Sequence, residues 1–172
     1  MSVVIRRARR DDRDFLVELF THEDVEPFLA AVRAKDAEAV EEEIARSAAE
    51  PDAFGIFVVE VDGRRAGTMH FERVNRRSRI ASLGGLAIHP DHRGQKIADE
   101  AARRFQRHLI RDLGFHRVQM EIYGFNERAM AHAERSGFTR EGVRRKAYWR
   151  NGEWVDGVLF GLVEEDLDAQ GT

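Results

Sequence analysis

Ser82-Leu-Gly-Gly-Leu-Ala-Ile-His-Pro-Asp-His-Arg-Gly-Gln-Lys-Ile-Ala98 reads as an apolar strand, a polar turn and the opening of a long helix. Leu83, Leu86 and Ile88 supply the strand's apolar positions, and Gly84-Gly85 within it marks a bulge or a close approach of backbone. Pro90 closes the strand, and helical periodicity begins after Gly94. A helix starting here aims free N–H groups and the positive end of its dipole at the strand's C-terminal edge, an arrangement that binds phosphate. Arg93 and Lys96 add positive charge at the same place. The spacing matches neither Gly-x-x-x-x-Gly-Lys-Ser/Thr nor the dinucleotide pattern Gly-x-Gly-x-x-Gly. A plain strand–turn–helix with a solvated basic turn is the other reading of these residues.

At 172 residues the chain has the length of one domain, 1–172, with enough residues for a sizeable core. A hydrophobic share of 42% beside 34% charged residues is globular rather than disordered. The net charge of −3 gives no bulk attraction to nucleic acid or an acidic membrane. With no cysteine there is no disulfide, thiolate metal site or cysteine nucleophile. The N-terminus lacks the apolar core of a signal peptide, and no apolar run reaches membrane length. A cytoplasmic protein without membrane or nucleic-acid partners is expected.

Outward from the central stretch, Ser2–Ala8 predicts a short strand. Asp11 or Asp12 then caps a helix with Phe15, Leu16, Leu19 and Phe20 on one face. An acidic segment with Glu23, Asp24 and Glu26 is broken by Pro27, and a second helix is expected from about Lys35 to Ala49. Two strands, 54–61 and 66–73, meet at Asp62-Gly63, a hairpin signal. After the central stretch, Ile97, Ala101, Phe105, Leu109 and Leu113 mark one helix face, which Gly114 ends. The opposite face, with Arg103, Arg104, Arg107 and Arg111, reads as solvated. A strand over 116–123, a helix capped by Asn126 and ended by Gly137, and a hairpin turning at Asn151-Gly152 complete the order. The tail from Glu164 is expected to fray.

That order resembles the GNAT N-acetyltransferases, and so do three local patterns. Arg93-Gly-Gln-Lys-Ile-Ala98 is similar to the family's pyrophosphate loop, Gln/Arg-x-x-Gly-x-Gly/Ala, with Lys96 where a framework glycine is usual. Asn126-Glu-Arg-Ala129 followed by Gly137-Phe138 resembles the Asn-x-x-Ala…Gly-Phe segment. Asn151-Gly-Glu-Trp-Val-Asp156 resembles the closing hairpin of the spermidine and ribosomal-protein-alanine acetyltransferase branch. The resemblance implies an α/β (α+β) GNAT fold, whose mixed, mostly antiparallel sheet has splayed middle strands and flanking helices. It implies acetyl-CoA as cosubstrate, coenzyme A as product, and a primary amine as acceptor, either a small amine or polyamine or a protein N-terminus. A homodimer is expected from the same resemblance.

Carried over residue by residue, Leu86, Ala87 and Ile88 would offer backbone groups to pantetheine. Arg93, Gly94, Gln95, Lys96, Ile97 and Ala98 would hold the pyrophosphate, and Asn126 would add a polar contact besides capping its helix. Lys96 is expected to sit in an ordinary helical first turn, which needs no positive φ. The family's thiolate-protonating tyrosine is replaced by Ala133. His132 points about 100° away around that helix, so Tyr148 is the expected acid, with water or unassisted departure as alternatives. For the base, Glu72 is expected ahead of Glu121 on the facing strand. His89, Asp91 and His92 lie within the phosphate loop, and no metal is expected there. Trp149, Trp154 and Phe160 read as hairpin core or dimer surface, and a non-catalytic acyl-CoA-binding module is the rival function.

Overall fold

The computed structural model describes residues 1–29 and 36–170. Strand β1 (Val3–Arg7) is followed by helices α1 (Arg13–Thr21) and α2 (Ala37–Ala49). The expected first residue of α2, Lys35, lies outside the described residues, and Asp36 caps the helix by accepting the Ala39 N–H. Strands β2 (Phe54–Val61), β3 (Arg64–Asn75) and β4 (Ile80–Ile88) come next, then helix α3 (Ile97–Arg107). Strand β5 (Arg117–Tyr123), helix α4 (Glu127–Arg135) and strands β6 (Thr139–Arg150) and β7 (Glu153–Val163) follow. The hairpin signals act as expected: Asp62 and Gly63, and likewise Asn151 and Gly152, all take positive φ.

These strands form one seven-stranded sheet in the order β1-β2-β3-β4-β5-β7-β6. Every neighbouring pair is antiparallel except β4 and β5, which run parallel. A parallel pair needs a crossover, and α3 supplies it. One sheet face packs under α3 and α4 through Met69, Phe71, Phe105, Val118 and Phe160. The other packs under α1 and α2 through Leu16, Phe20, Val40, Ile56 and Val58. The alternation along β2 explains this division, since Phe57 and Val59 face one layer while Ile56 and Val58 face the other. No helix among the described residues is long and apolar enough to cross a membrane.

Two elements depart from expectation. The tail is helix α5 (Glu164–Ala169), because Leu167 buries itself in the core while Arg111 pairs with Glu164 and Asp168. Helix α3 runs on into a π-helical turn, His108–Asp112, in which both Leu109 and Ile110 are buried. The wider turn brings two successive apolar side chains inward where a regular helix would turn one of them out.

Asp12 does not cap α1 through its side chain. Its fully buried carboxylate instead receives both Nη groups of Arg6 at 2.7 and 2.9 Å, Arg65 Nε at 2.7 Å and the Arg9 N–H at 2.7 Å. The start of α1 is thereby tied to β1 and β3. Burial works against ionisation here, but the hydrogen bonds from Arg6, Arg65 and Arg9 outweigh it and hold the pKa at about 2, against an ordinary 3.8. A folded-state pKa below the unfolded value contributes stability that is complete above pH ~4 and lost as pH falls through about 2. Asp12→Asn is therefore expected to lower stability by about 3 kcal/mol at pH 7, the usual cost of breaking a buried ion pair. Urea melts should show that gap closing toward pH 2, and a gap constant from pH 7 to 2 would contradict the assignment.

Candidate active site

β4 and β5 pair over only three positions, Ile80–Arg117, Ala81–Val118 and Ser82–Gln119. Beyond them the strands part, leaving Leu83–Ile88 on one side of a gap and Met120–Tyr123 on the other. The β3–β4 ladder shifts register between Thr68–Ala87 and His70–Gly84, so β4 carries one extra residue at Gly85–Leu86. Gly85 takes φ +61°, and a Cβ on Gly84 would run into the His70 ring. The bulge expected at Gly84-Gly85 is present, and it bends β4 away from β5. Leu86 is left part-exposed at the gap, Ile88 is half-buried, and Ala87 is buried against the α1–α2 layer.

At the open end, Pro90–His92 forms a single 3-10 turn and Gly94 takes φ +83° with open space around it. Lys96 departs from expectation. It precedes α3 in the left-handed region, φ +57° and ψ +18°, where a glycine carries no penalty. α2 and α4 each receive a side-chain cap, from Asp36 and Asn126, but α3 has none. Its leading N–H groups, over Gln95–Ala98, therefore face the loop without a side-chain acceptor. The acidic residues of its first turn have partners close by. Asp99 meets His132 at 3.1 Å and Arg135 at 3.4 Å, and Glu100 meets Arg104 at 2.7 Å. Burial lowers the His132 pKa, so this imidazole is neutral at pH 7 despite Asp99.

Arg93 reaches away from the loop, with Nη2 donating to the Asp24 carbonyl at 3.1 Å. His89 Nε2 lies 3.1 Å from Glu18, and His89 Nδ1 accepts the Asp91 N–H at 3.3 Å. Among the described residues, no group of three or more His, Asp or Glu is arranged to hold a metal ion. Asn126 Oδ1 accepts the Ala129 N–H at 3.1 Å, which makes it the α4 cap.

The two expected catalytic side chains stand apart. Glu72 pairs across the ladder with Ser82, at the closed end of the gap, and is half-exposed beside Arg46 at 2.9 Å. Tyr148 stands on the sheet face away from α3 and α4, against Gly157 and 5.7 Å from the Tyr123 ring. Burial, then a hydrogen bond with Glu121, raises its pKa. Ala133 is buried in the core on the other face, so a tyrosine at 133 would have to displace core side chains.

Around Tyr148 the structure brings Glu121 and Glu26 together with aromatic and basic residues that the motifs did not single out. Tyr123 stacks on Phe125 at 5.3 Å, and Phe28 approaches Phe125 at 6.3 Å. The Arg150 guanidinium stands 5.7 Å from the Tyr123 ring, donates to the Glu26 carbonyl at 3.0 Å, and lies 3.7 Å from the Glu26 carboxylate. Glu121 faces Arg144 at 3.5 Å. Gly157 was the available signal, since a Cβ there would strike both Glu121 and Tyr148.

A family model described as an acetyltransferase (GNAT) domain matches residues 2–139. A prophage-derived uncharacterized N-acetyltransferase of Bacillus subtilis is 28% identical over 119 residues, covering 69% of this chain and 67% of the relative. The spermidine N(1)-acetyltransferase of Escherichia coli K12 is 25% identical over 114 residues, covering 66% of this chain and 61% of the relative. The match thus spans about two thirds of the relatives' own length or less. The crystal structure of a Vibrio cholerae spermidine N-acetyltransferase in complex with CoA and spermine superposes with a TM-score of 0.86. It shares 20% identity and the match covers 96% of this chain and 97% of that one, which establishes the shared fold.

The left-handed Lys96 generates a test. Lys96→Gly removes a cost of roughly 1–2 kcal/mol but adds glycine's entropy cost of about 0.5–1 kcal/mol in the unfolded chain. A net gain of about 0.5–1 kcal/mol is expected, a rise of roughly 1–4 °C in Tm. A fall in Tm would show that the Lys96 side chain makes a contact worth more than the strain.

Proposed function

We propose that this chain, which belongs to the GNAT acetyltransferase family, transfers the acetyl group of acetyl-CoA to a primary amine. The observation that carries the reading is the gap between β4 and β5, opening beside the uncapped start of α3. A linear pantetheine arm fits a gap between parted strands, where backbone N–H and C=O groups of Leu86–Ile88 supply hydrogen bonds. The pyrophosphate then meets the N–H groups over Gly94–Ala98, whose approach is kept clear by Gly94. Arg93 exchanges its Asp24 carbonyl for phosphate oxygens. Asn126, already the α4 cap, keeps α4 beside this path.

Bound acetyl-CoA supplies an electrophilic thioester. The acceptor enters from the face opposite α3 and α4, where Glu121, Tyr123 and Tyr148 line the gap. An alkyl ammonium has a pKa of roughly 10 and must lose a proton before its nitrogen attacks. The proton passes to water at Glu121, whose side chain is 24% exposed. Glu121 lies beside the open part of the gap, whereas Glu72 lies at its closed end. The C–N bond forms, and a backbone N–H at the Leu86 bulge stabilises the oxyanion, a contribution of about 3 kcal/mol when one such donor is preorganised. The nitrogen gives its second proton to water, and the C–S bond then breaks. Because a thiol has a pKa near 8.5, thiolate leaves without a dedicated acid. Tyr148, with its raised pKa and its place across the sheet from Ala133, serves the acceptor side. The exposed Trp149–Trp154 pair at the β6–β7 turn supports a homodimer contact there.

The buried alanine at 133 favours a second reading, a non-catalytic acyl-CoA-binding module. Calorimetry with CoA and acetyl-CoA, paired with thiol release across amines, polyamines and peptides, separates the two. Binding with turnover is expected, and binding without turnover on any amine would favour the second reading. Gly94→Pro is expected to abolish binding, because proline cannot take φ +83°. Unchanged affinity in that variant would move the cosubstrate away from this loop.

A further inference from the structure

Among the described residues, four buried side-chain polar atoms lack a hydrogen-bond partner: Gln106 Oε1, His108 Nε2, Glu121 Oε1 and Arg150 Nε. Gln106 and His108 belong to α3 and its π-helical turn. Glu121 and Arg150 share the acceptor face, one on each side of the Tyr123–Tyr148 pair. An unmade hydrogen bond on a sheltered, charged group is costly, and such atoms mark places completed by something else.

We infer that Arg150 is a specificity-determining residue that reads a hydrogen-bond-accepting group, an amide carbonyl or carboxylate, carried by the acceptor close to its amine. The inference rests on the transferase reading. Arg150 is held for the task. Its Nη2 is anchored on the Glu26 carbonyl and its plane lies near the Tyr123 ring, so the guanidinium is fixed while Nε remains unmade. Glu121 supplies the opposite charge for the ammonium. An α-amino compound such as a peptide N-terminus offers both halves, a cationic nitrogen and a carbonyl two bonds away. A protonated polyamine offers no acceptor lone pair, and its second charge would meet Arg144 or Arg150 in place of a free carboxylate. Glu26 is already paired with Arg150 and Glu72 with Arg46, whereas Glu121, which Arg144 meets through Oε2, keeps Oε1 for one ammonium. The aromatic side chains Tyr123 and Phe125 suit an apolar or aromatic body between the two groups.

The test compares phenylalaninamide with phenethylamine, which differ by one carboxamide, and includes spermidine. Initial rates of CoA release are measured for the unmodified chain, Arg150→Leu and Arg150→Lys. The two monoamines differ in basicity, so the readout is how their kcat/KM ratio changes between proteins. The ratio in favour of phenylalaninamide is expected to fall about tenfold or more in Arg150→Leu, chiefly through KM, and to recover partly in Arg150→Lys. Calorimetric acetyl-CoA affinity, expected to be unchanged, checks that the variants are folded. A constant ratio, or equal losses for both amines, overturns the role of Arg150, as does a kcat/KM for spermidine above that for phenylalaninamide. Acetyl-CoA binding with no transfer to any of the three amines overturns the transferase reading itself, and this inference with it.

Discussion

The parting of β4 from β5 after Ser82 and Gln119 is the constraint on which the rest of the molecule depends. Two strands that share a continuous ladder leave no room for a ligand between them, because their backbone groups are spent on each other. Here one extra residue at Gly85–Leu86 bends β4 while β3 follows on its other side, and the pairing lost with β5 leaves polar backbone facing a gap. Such exposed backbone is tolerable only where water or a ligand completes it. Glycine at 84 lets His70 close over the bend, and glycine at 85 takes the left-handed turn that the bend requires.

The layers on the two faces divide the labour. Under α3 and α4 lies a core rich in phenylalanine, with Phe57, Phe71, Phe105 and Phe115 in mutual edge and tilted contacts. It fixes the start of α3 against the sheet. Under α1 and α2 the cluster is smaller and mostly aliphatic around Phe20, and α1 and the segment after it reach across to the β4–α3 loop through Glu18–His89 and Asp24–Arg93. The Asp12 cluster anchors the other end of α1 to β1 and β3. Residues of that loop and of α1 with the segment after it therefore share hydrogen bonds, although they are separated by most of the first half of the chain.

Much of this was legible because it is local. Asp62-Gly63 and Asn151-Gly152 announce their hairpins, Gly114 and Gly137 end helices with positive φ, and Gly84-Gly85 declares the bulge. What was hidden is non-local. Lys96 looked like a first-turn helical residue because nothing in its neighbours records that the loop ends in a left-handed step. Helix α5 was read as a frayed tail because its stability comes from Leu167 entering a core built by distant strands and from Arg111. The strands that carry Glu72 and Glu121 were legible, whereas the point at which β4 and β5 part, which puts Glu72 at the closed end and Glu121 beside the open part, was not. The pairing of Arg150 with Glu26 joins residues 124 positions apart, which no spacing reveals.

The two tryptophans of the chain, Trp149 and Trp154, stand together at the β6–β7 turn with ring centroids 5.2 Å apart, and each is about 60% exposed. The indole emission of this protein therefore originates in a single solvated spot, remote from both cores. Its wavelength in the folded state lies close to that of an unfolded chain, so loss of the cores leaves the spectrum almost unmoved. Whatever covers the hairpin tip, in contrast, shifts that emission directly, which makes the native fluorescence a built-in reporter of association rather than of folding.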